Sequence, residues 1–365
     1  MSLPEDAGYL ARAFALAEAA TVRVSPNPRV GAVLVREGAI VGEGVHLGPG
    51  TAHAEAAALR AAGEAARGAT LYVTLEPCCH FGHTPPCTQA IIAAGVARVV
   101  APIEDPNPKV AGQGFSELRA AGIAVDVGLG AADAMAQNAP YLHWRRTGRP
   151  HVTAKWALSL GGQSAARTGR SLYMTGPAAR AEVHRLRATH DAVLVGIGTA
   201  LADDPLLTVR DAPGQSPLRV VLDSDGRLPP DARLLSAEGR TIVYVGAGVP
   251  SELLTPIAAR AEVVPIGDGP RLPLAAVLSD LGRRGVTSLL VEGGATVHGE
   301  FFDQDLVDRV AVFVAPLVLG GRDAPPGVAG LGAESPAAGL RLTGGTWRVL
   351  GEDAYFTAAV ERGAK

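Results

Sequence analysis

Hydrophobic residues recur at helical spacing through residues 7–20, and the chain then turns through TVRVSPNPRV, rich in Pro and Asn. The runs VGAVLV and AIVGEGVH read as two strands of a hairpin joined around Glu37-Gly38. HAEAAALRAAGEAA returns to helical spacing, and ATLYVTLEP is a strand that ends at Pro77. CTQAIIAAG opens another helix, with Pro85-Pro86 just ahead of it, a favoured helix entry. ARVVAPIED, FSELRAAG and IAVDVGLG follow as strand, helix and strand. The order β-β-α-β-α-β-α-β predicts an α/β layer fold.

A polar, basic stretch at residues 138–150 interrupts the pattern, and a domain boundary is expected there, near residue 145, dividing the chain into 1–145 and 146–365. The second half alternates again. VTAKWALSL, DAVLVGIGT, LRVVLDS, TIVYVGAG, SLLVEGG and RVAVFVAPLVLG read as strands, and PAARAEVHRLRA, LPLAAVLSDLGRRG and TVHGEFFDQ as helices. A second α/β sandwich, with parallel strands and crossover helices, is expected.

Composition narrows the class. At about 150 residues per domain, 365 residues suggest two domains. The 47% hydrophobic and 19% charged content is that of an ordinary folded chain. Aromatics are only 4%, so the cores must be built from Val, Leu, Ile and Ala. Thirty-six acidic against 33 basic residues give a net charge of −3. No basic excess exists to neutralise a nucleic-acid backbone, so no nucleic-acid partner is expected. MSLPEDAGYL carries neither a basic n-region nor a long apolar run, which argues against a secretory signal. No stretch of about 18 uncharged apolar residues predicts a membrane helix. The expectation is a cytoplasmic protein with no membrane partner, and the sequence leaves room for a homo-oligomer.

Candidate chemistry clusters early. Cys78, Cys79 and Cys87 are the three cysteines, and four of nine histidines, His46, His53, His80 and His83, fall between residues 46 and 83. An odd, clustered set is a poor disulfide framework. Soft and borderline ligands crowded together point instead to a metal site. His53 opens a helix, Cys78 follows the strand-ending Pro77, and Cys87 opens the next helix. One imidazole and two thiolates suit zinc, one ion per chain, with a fourth position left for water. Two thiolates already cancel the ion's charge, so the water needs a base. Glu55, two residues beyond His53 in a loose first helical turn, can take that proton and hand it to a leaving amine. A closed structural zinc site is the alternative, with Cys79 or His80 as fourth ligand. Cys79 reads as a bystander, because adjacent cysteines seldom bind one zinc together.

H-x-E followed by P-C…C is the signature of zinc deaminases. Here the cysteine interval is long, with CHFGHTPP between Cys78 and Cys87. Pro26-Asn27-Pro28-Arg29-Val30-Gly31, Thr74-Leu75-Glu76-Pro77-Cys78-Cys79-His80 and Asp105-Pro106-Asn107-Pro108 complete the pattern. With these motifs the first half resembles the deaminase half of the bifunctional riboflavin-biosynthesis deaminase/reductases, and the resemblance runs over essentially the whole chain. It implies a cytidine-deaminase-like α/β/α sandwich. It implies a diaminopyrimidinone substrate carrying a ribosylamino 5′-phosphate, whose 2-amino group leaves as ammonia. Asn27, His46, His80, His83, Asp105 and Asn107 would line its pocket. The family usually has Arg or Lys at the position of His83.

In the second half two strands run into Gly-rich turns, VLVGIGT (193–199) and LLVEGGATVHG (289–299). Glycines let a backbone approach a phosphate, but such turns are more often structural αβ connections. The G-x-G-x-x-G fingerprint is absent, so no Rossmann domain is expected. Arg187 and Arg210 are candidate phosphate clamps. HRLRATHDAVLVGIGTALADDPLLTVR, the Lys155…Ser159-Leu160 segment, Val291-Glu292-Gly293-Gly294 and Ala315-Pro316…Gly320-Gly321 resemble the reductase half of the same family. That resemblance implies a dihydrofolate-reductase-like α/β domain using NADPH to reduce a ring-opened ribose to a ribityl chain. NADPH would contact Ala157, Tyr173, Thr199, Asp203, Ser224, Gly293, Gly294, Ala295 and Thr296. Substrate would contact Ser171, Arg187, Leu207, Arg210 and Glu292. Ser159-Leu160-Gly161-Gly162 stands where the family commonly has Ser-Leu-Asp-Gly, and Tyr173 where it usually has Trp. Two rivals stay open: a deaminase acting on bases in nucleic acid such as tRNA, and a deaminase whose second half serves only in assembly.

Overall fold

The computed structural model describes residues 3–20, 23–82, 84–169, 174–236 and 238–361. The chain divides into two compact units, Met1–Gly148 and Arg149–Lys365. The basic stretch at 138–150 is not a linker. Ala139–Thr147 is a helix with Pro140 in its first turn, and Gly148, at φ 72°, caps it by donating its N–H to the Trp144 carbonyl.

The first unit holds strands β1 (Gly31–Arg36), β2 (Ala39–Val45), β3 (Thr70–Val73), β4 (Arg98–Ala101) and β5 (Ala124–Val127), in the order β2-β1-β3-β4-β5. β1 runs antiparallel to both β2 and β3, while β3, β4 and β5 are parallel. The expected hairpin turn is present, with Glu37 at φ 53° and Gly38 at φ 79°. Period-two alternation divides the inner strands between two buried faces. Ala32, Leu34, Leu71, Val73, Val99 and Ala101 face a core shared with Ala54, Ala58, Cys87, Ile91 and Phe115. Val33, Val35, Tyr72 and Val100 face the opposite core with Leu10 and Ala13. The result is an α/β/α sandwich.

The second unit holds β6 (His151–Ser159), β7 (Ala192–Gly196), β8 (Leu218–Asp223), β9 (Thr241–Val245), β10 (Glu262–Pro265), β11 (Ser288–Val291), β12 (Arg309–Ala315), β13 (Leu342–Leu350) and β14 (Asp353–Val360). Their order is β10-β9-β8-β7-β11-β6-β12-β14-β13. The first seven in that order are mutually parallel, and β14 and β13 add an antiparallel edge. Leu194, Leu289 and Val291 point into one core, and Val193, Val195 and Leu290 into the other. Strands β10, β13 and β14 go beyond the pattern read from the sequence. The expected strand DAVLVGIGT ends at Gly196, where the helix Ile197–Asp203 begins. No helix among the described residues is long and apolar enough to cross a membrane.

Candidate metal centre and active sites

The helix Ala54–Ala62 lies directly on β2, and two glycines make that possible. A Cβ on Gly44 would stand 2.1 Å from the Ala54 carbonyl oxygen, and one on Gly42 2.4 Å from that of Ala58. His53 is the helix N-cap in extended conformation (φ −70°, ψ 159°), and Glu55 sits in the first turn, 4% exposed. Cys78 lies in the loop beyond β3. Cys87 begins the helix Cys87–Ala93 and donates its main-chain N–H to the Cys78 Sγ at 3.4 Å.

These elements bring three donors together. His53 Nδ1 is 3.2 Å from Cys87 Sγ and 3.4 Å from Cys78 Sγ, and all three atoms lie within 4.8 Å of one another. The His53 Nε2 is held by the Thr84 hydroxyl at 3.2 Å, which leaves Nδ1 facing the sulfurs. One imidazole and two thiolates, with no further His, Cys, Asp or Glu in the group among the described residues, fit an open zinc site. Cys79 turns away, its Sγ reaching the Lys109 carbonyl at 3.5 Å, and His80 is not in the group. A hydrogen bond from Cys87, aided by His53, holds the Cys78 thiol down at about 4. Burial, together with the nearby Cys78 charge, raises the Glu55 carboxyl to about 7.

A cavity of about 410 Å³ opens beside this cluster. Asn27, His46, His53, Glu55, Cys78, His80, Asp105 and Asn107 line it. Asn27 Nδ2 donates to His46 Nε2 at 3.0 Å, so His46 carries its proton on Nδ1, directed at the Ala52 carbonyl 3.1 Å away. Burial keeps His46 below its ordinary value, hence neutral. Asp105 accepts from the Asn107 N–H at 2.8 Å and from the Tyr141 hydroxyl at 2.9 Å. Glu76 accepts three main-chain N–H groups, from Asp105 (3.0 Å), Gly112 (3.0 Å) and Phe115 (3.2 Å), and so fixes the loop that carries Asp105 and Asn107. Thr84, Glu76, Tyr141, Lys109 and Arg145 were not among the expected site residues. Tyr141 and Arg145 sit on the helix that had been read as a boundary.

In the second unit the candidate residues gather at the carboxyl ends of the central parallel strands. Ala157 is near the end of β6, Thr199 and Asp203 are on the helix after β7, Ser224 follows β8, and Glu292 to Thr296 follow β11. A crevice at such strand ends is where open parallel sheets bind ligands, so the placement suits a cofactor. A Cβ on Gly293 would meet the Gly196 nitrogen at 2.8 Å, and one on Gly294, at φ 57°, would meet Thr199 Oγ1 at 3.0 Å. Register sets Val291 opposite Ala154, so Glu292 comes level with Lys155, whose Nζ is 3.5 Å from it. Arg187 binds the same carboxylate through two N–H groups, at 2.7 and 2.9 Å, and the Thr208 carbonyl through a third at 3.2 Å. Burial alone would raise the Glu292 carboxyl, but Arg187 and Lys155 outweigh it and hold it down at about 2. Arg210 is exposed and donates to Thr208 Oγ1 at 2.9 Å, so both candidate clamp arginines meet at Thr208. Leu207, at φ 54°, buries its side chain in the core and offers a ligand only its main chain. The contact of Lys155 with Glu292 is one that only the strand register brings out. Gln163 bridges the Ser159–Gly162 turn, bonding the Ser159 hydroxyl (2.8 Å) and the Gly161 carbonyl (2.7 Å).

The first unit matches the zinc-binding region of cytidine and deoxycytidylate deaminases over residues 4–102, and residues 150–356 match the RibD C-terminal domain. The chain belongs to the RibD family of riboflavin biosynthesis proteins. It is 43% identical over 329 residues to riboflavin biosynthesis protein RibD of Escherichia coli K12, covering 87% of this chain and 89% of that protein. Identity to the RibD of Bacillus amyloliquefaciens is 43% over 330 residues, 90% of this chain and 89% of that one. Among solved structures, Acinetobacter baumannii RibD superimposes with a TM-score of 0.90 at 37% identity, covering 99% of this chain and 100% of the other. A diaminohydroxyphosphoribosylaminopyrimidine deaminase/5-amino-6-(5-phosphoribosylamino)uracil reductase from Thermotoga maritima gives 0.87 at 33% identity, covering 98% and 99%. Like other RibD proteins, the chain is a bifunctional enzyme of riboflavin biosynthesis, a deaminase and a reductase. Family membership over the second unit sets aside the reading of a tRNA-type base deaminase. His83, Ser171 and Tyr173 lie outside the described residues.

Proposed function

We propose that the first unit removes the 2-amino group of 2,5-diamino-6-(5-phosphoribosylamino)pyrimidin-4(3H)-one as ammonia. The second unit then reduces the ribosyl chain of the resulting uracil with NADPH. The observation that carries the first step is the convergence of His53 Nδ1, Cys78 Sγ and Cys87 Sγ beside buried Glu55 in a cavity of substrate size. Those three side chains would hold one zinc per chain, which when bound supplies Lewis-acid activation of water. Glu55 takes a proton onto its carboxylate oxygen and returns it to the leaving amino nitrogen. Asn27, neutral His46, His80, Asp105 and Asn107 hold the ring and its sugar in a fixed pose.

In the second unit NADPH supplies the hydride that C1′ of the opened sugar accepts. Ala157, Thr199, Asp203, Ser224 and the Gly293–Thr296 turn form its seat. Lys155 and Glu292 sit together where a charged sugar intermediate can be met by either sign, and Arg187 fixes the Glu292 carboxylate. Arg210, with its guanidinium exposed, takes the substrate phosphate. Reduced cysteines kept for a metal suit the cytoplasm. The exposed edge strand β13 supports association between copies of the chain. The test is a timed assay with the diaminopyrimidinone and NADPH. Ammonia should appear first, and loss of absorbance at the NADPH band should lag behind it. Ammonia release without any NADPH binding or oxidation would leave the second unit an assembly domain.

A further inference from the structure

We infer that His184 is a positioning residue for the reductase step: its ring fixes the main chain of Arg210 and so sets where the guanidinium meets substrate. The inference rests on the reading that Arg210 binds the reductase substrate, and adds the residue that holds the arginine in place.

Residues 204–210 belong to no helix or strand. A main chain outside regular structure has no ladder to pair its N–H and C=O groups, so side chains or water must do so. In this segment side chains do much of it. Leu207 buries its side chain in the core. Arg187 donates to the Thr208 carbonyl at 3.2 Å, and the Ser216 hydroxyl accepts the Val209 N–H at 3.0 Å. His184 Nδ1 accepts the Arg210 N–H at 3.2 Å. This last bond acts on the very residue whose exposed guanidinium is offered to the substrate.

His184 suits the task by place and by chemistry. It is buried, 5% exposed, on the helix Pro177–Thr189. It precedes Arg187 by three positions, so the two side chains are neighbours on one helix face. Arg187 grips Glu292 and Thr208, while His184 grips Arg210. Because Nδ1 accepts, the ring proton stands on Nε2, directed at the Asp211 carboxylate 3.3 Å away. Burial, with Arg187 and Arg210 nearby, keeps the imidazole below its ordinary value against the opposing pull of Asp211 and the Thr208 main chain. The ring is therefore neutral, as an acceptor nitrogen requires. A carboxylate at this position would accept the same N–H but would also attract the guanidinium of Arg187 or Arg210. A neutral imidazole accepts without capturing either, and its Nε2–H engages Asp211. Among the described residues Arg210 forms no ion pair with a carboxylate, and its guanidinium is steadied by the Thr208 hydroxyl at 2.9 Å.

The experiment follows NADPH oxidation by the full-length enzyme as 5-amino-6-(5-phosphoribosylamino)uracil is varied. It compares His184→Asn, His184→Gln, His184→Leu, Arg210→Ala and the double variant His184→Leu with Arg210→Ala. Asn keeps an acceptor oxygen where Nδ1 stands; Gln carries its amide out to the place of Nε2, and Leu has no acceptor. Gln and Leu should raise KM for the uracil about five- to tenfold, the loss of one hydrogen bond, with kcat and NADPH affinity held. Asn should stay close to the wild type. Leu should add nothing in the Arg210→Ala background, because the bond it removes acts through the arginine. If Arg210→Ala raises KM but Asn and Gln behave alike, the positioning role is overturned while the Arg210 assignment stands. The same holds if the Leu loss adds in full to that of Arg210→Ala. If Arg210→Ala leaves KM unchanged, the Arg210 reading fails and the role of His184 with it. The Asn and Gln comparison decides the matter even where the Leu variant does not fold.

Discussion

His53, Cys78 and Cys87, whose donor atoms lie within 4.8 Å of one another, could be picked out from the chain alone, because metal ligation demands particular side chains at short, recognisable spacings. The residues that escaped are of another kind. Lys155 meets the expected Glu292, 137 positions away, only through the register of β6 and β11. Tyr141 reaches Asp105 across 36 positions. Glu76 looks like part of a motif, yet its work is to anchor main-chain N–H groups that no composition reveals. The Glu292 cluster makes a pH prediction. Its carboxyl is depressed in the folded state from an ordinary 4.5 to about 2, so its contribution to stability is complete above about pH 4.5. It is lost as pH falls from there toward 2, because the unfolded state takes the proton first. A shift of that size corresponds to about 3 kcal/mol. Acid titration of the second unit's unfolding midpoint should show this decline, and Glu292→Gln should flatten it. An unchanged acid limb in the variant would mean that Arg187 and Lys155 do not depress this carboxyl.

Helices and strands with a clean period were readable, and those without one were not. β1, β3 and β4 alternate between two buried faces and were expected; β13 is exposed along nearly its whole length and shows no such pattern. The helix Ile197–Asp203 was missed because GIGT reads as the end of a strand and a turn. Ala139–Thr147 was hidden by its polarity, although one side of it reaches the cavity. The helix carrying His53 and Glu55 depends on β2 having no side chains beneath it. Gly44→Val would force that helix outward, since even a Cβ would lie 2.1 Å from the Ala54 oxygen. Overpacking of this kind costs about 1–3 kcal/mol. The variant should melt earlier and bind less zinc, measured by calorimetry and by metal analysis of the same sample. Full zinc content at an unchanged melting temperature would show that the close seat is not what positions the ligands.

The two compact units can be tested separately because their chemistry uses different residues. Arg210→Ala should weaken binding of the reductase substrate about tenfold or more, as expected for a charge-assisted contact, with little change in NADPH affinity. Equal losses in both titrations would contradict its assignment to the substrate. Trp347 is 66% and Val349 79% exposed on the edge strand β13. Unpaired strand edges with apolar side chains invite pairing with a second copy. Light scattering should find a dimer or larger assembly that Trp347→Lys with Val349→Lys breaks down; a wild-type monomer at micromolar concentration would exclude it. The deciding test measures bound zinc and ammonia release together, on the wild type and on Glu55→Gln. The wild type should carry about one zinc per chain, and the variant should keep that metal while release falls by roughly 10²–10⁴-fold. A wild type that deaminates without zinc, or a Glu55→Gln enzyme that turns over normally, would contradict the proposed centre.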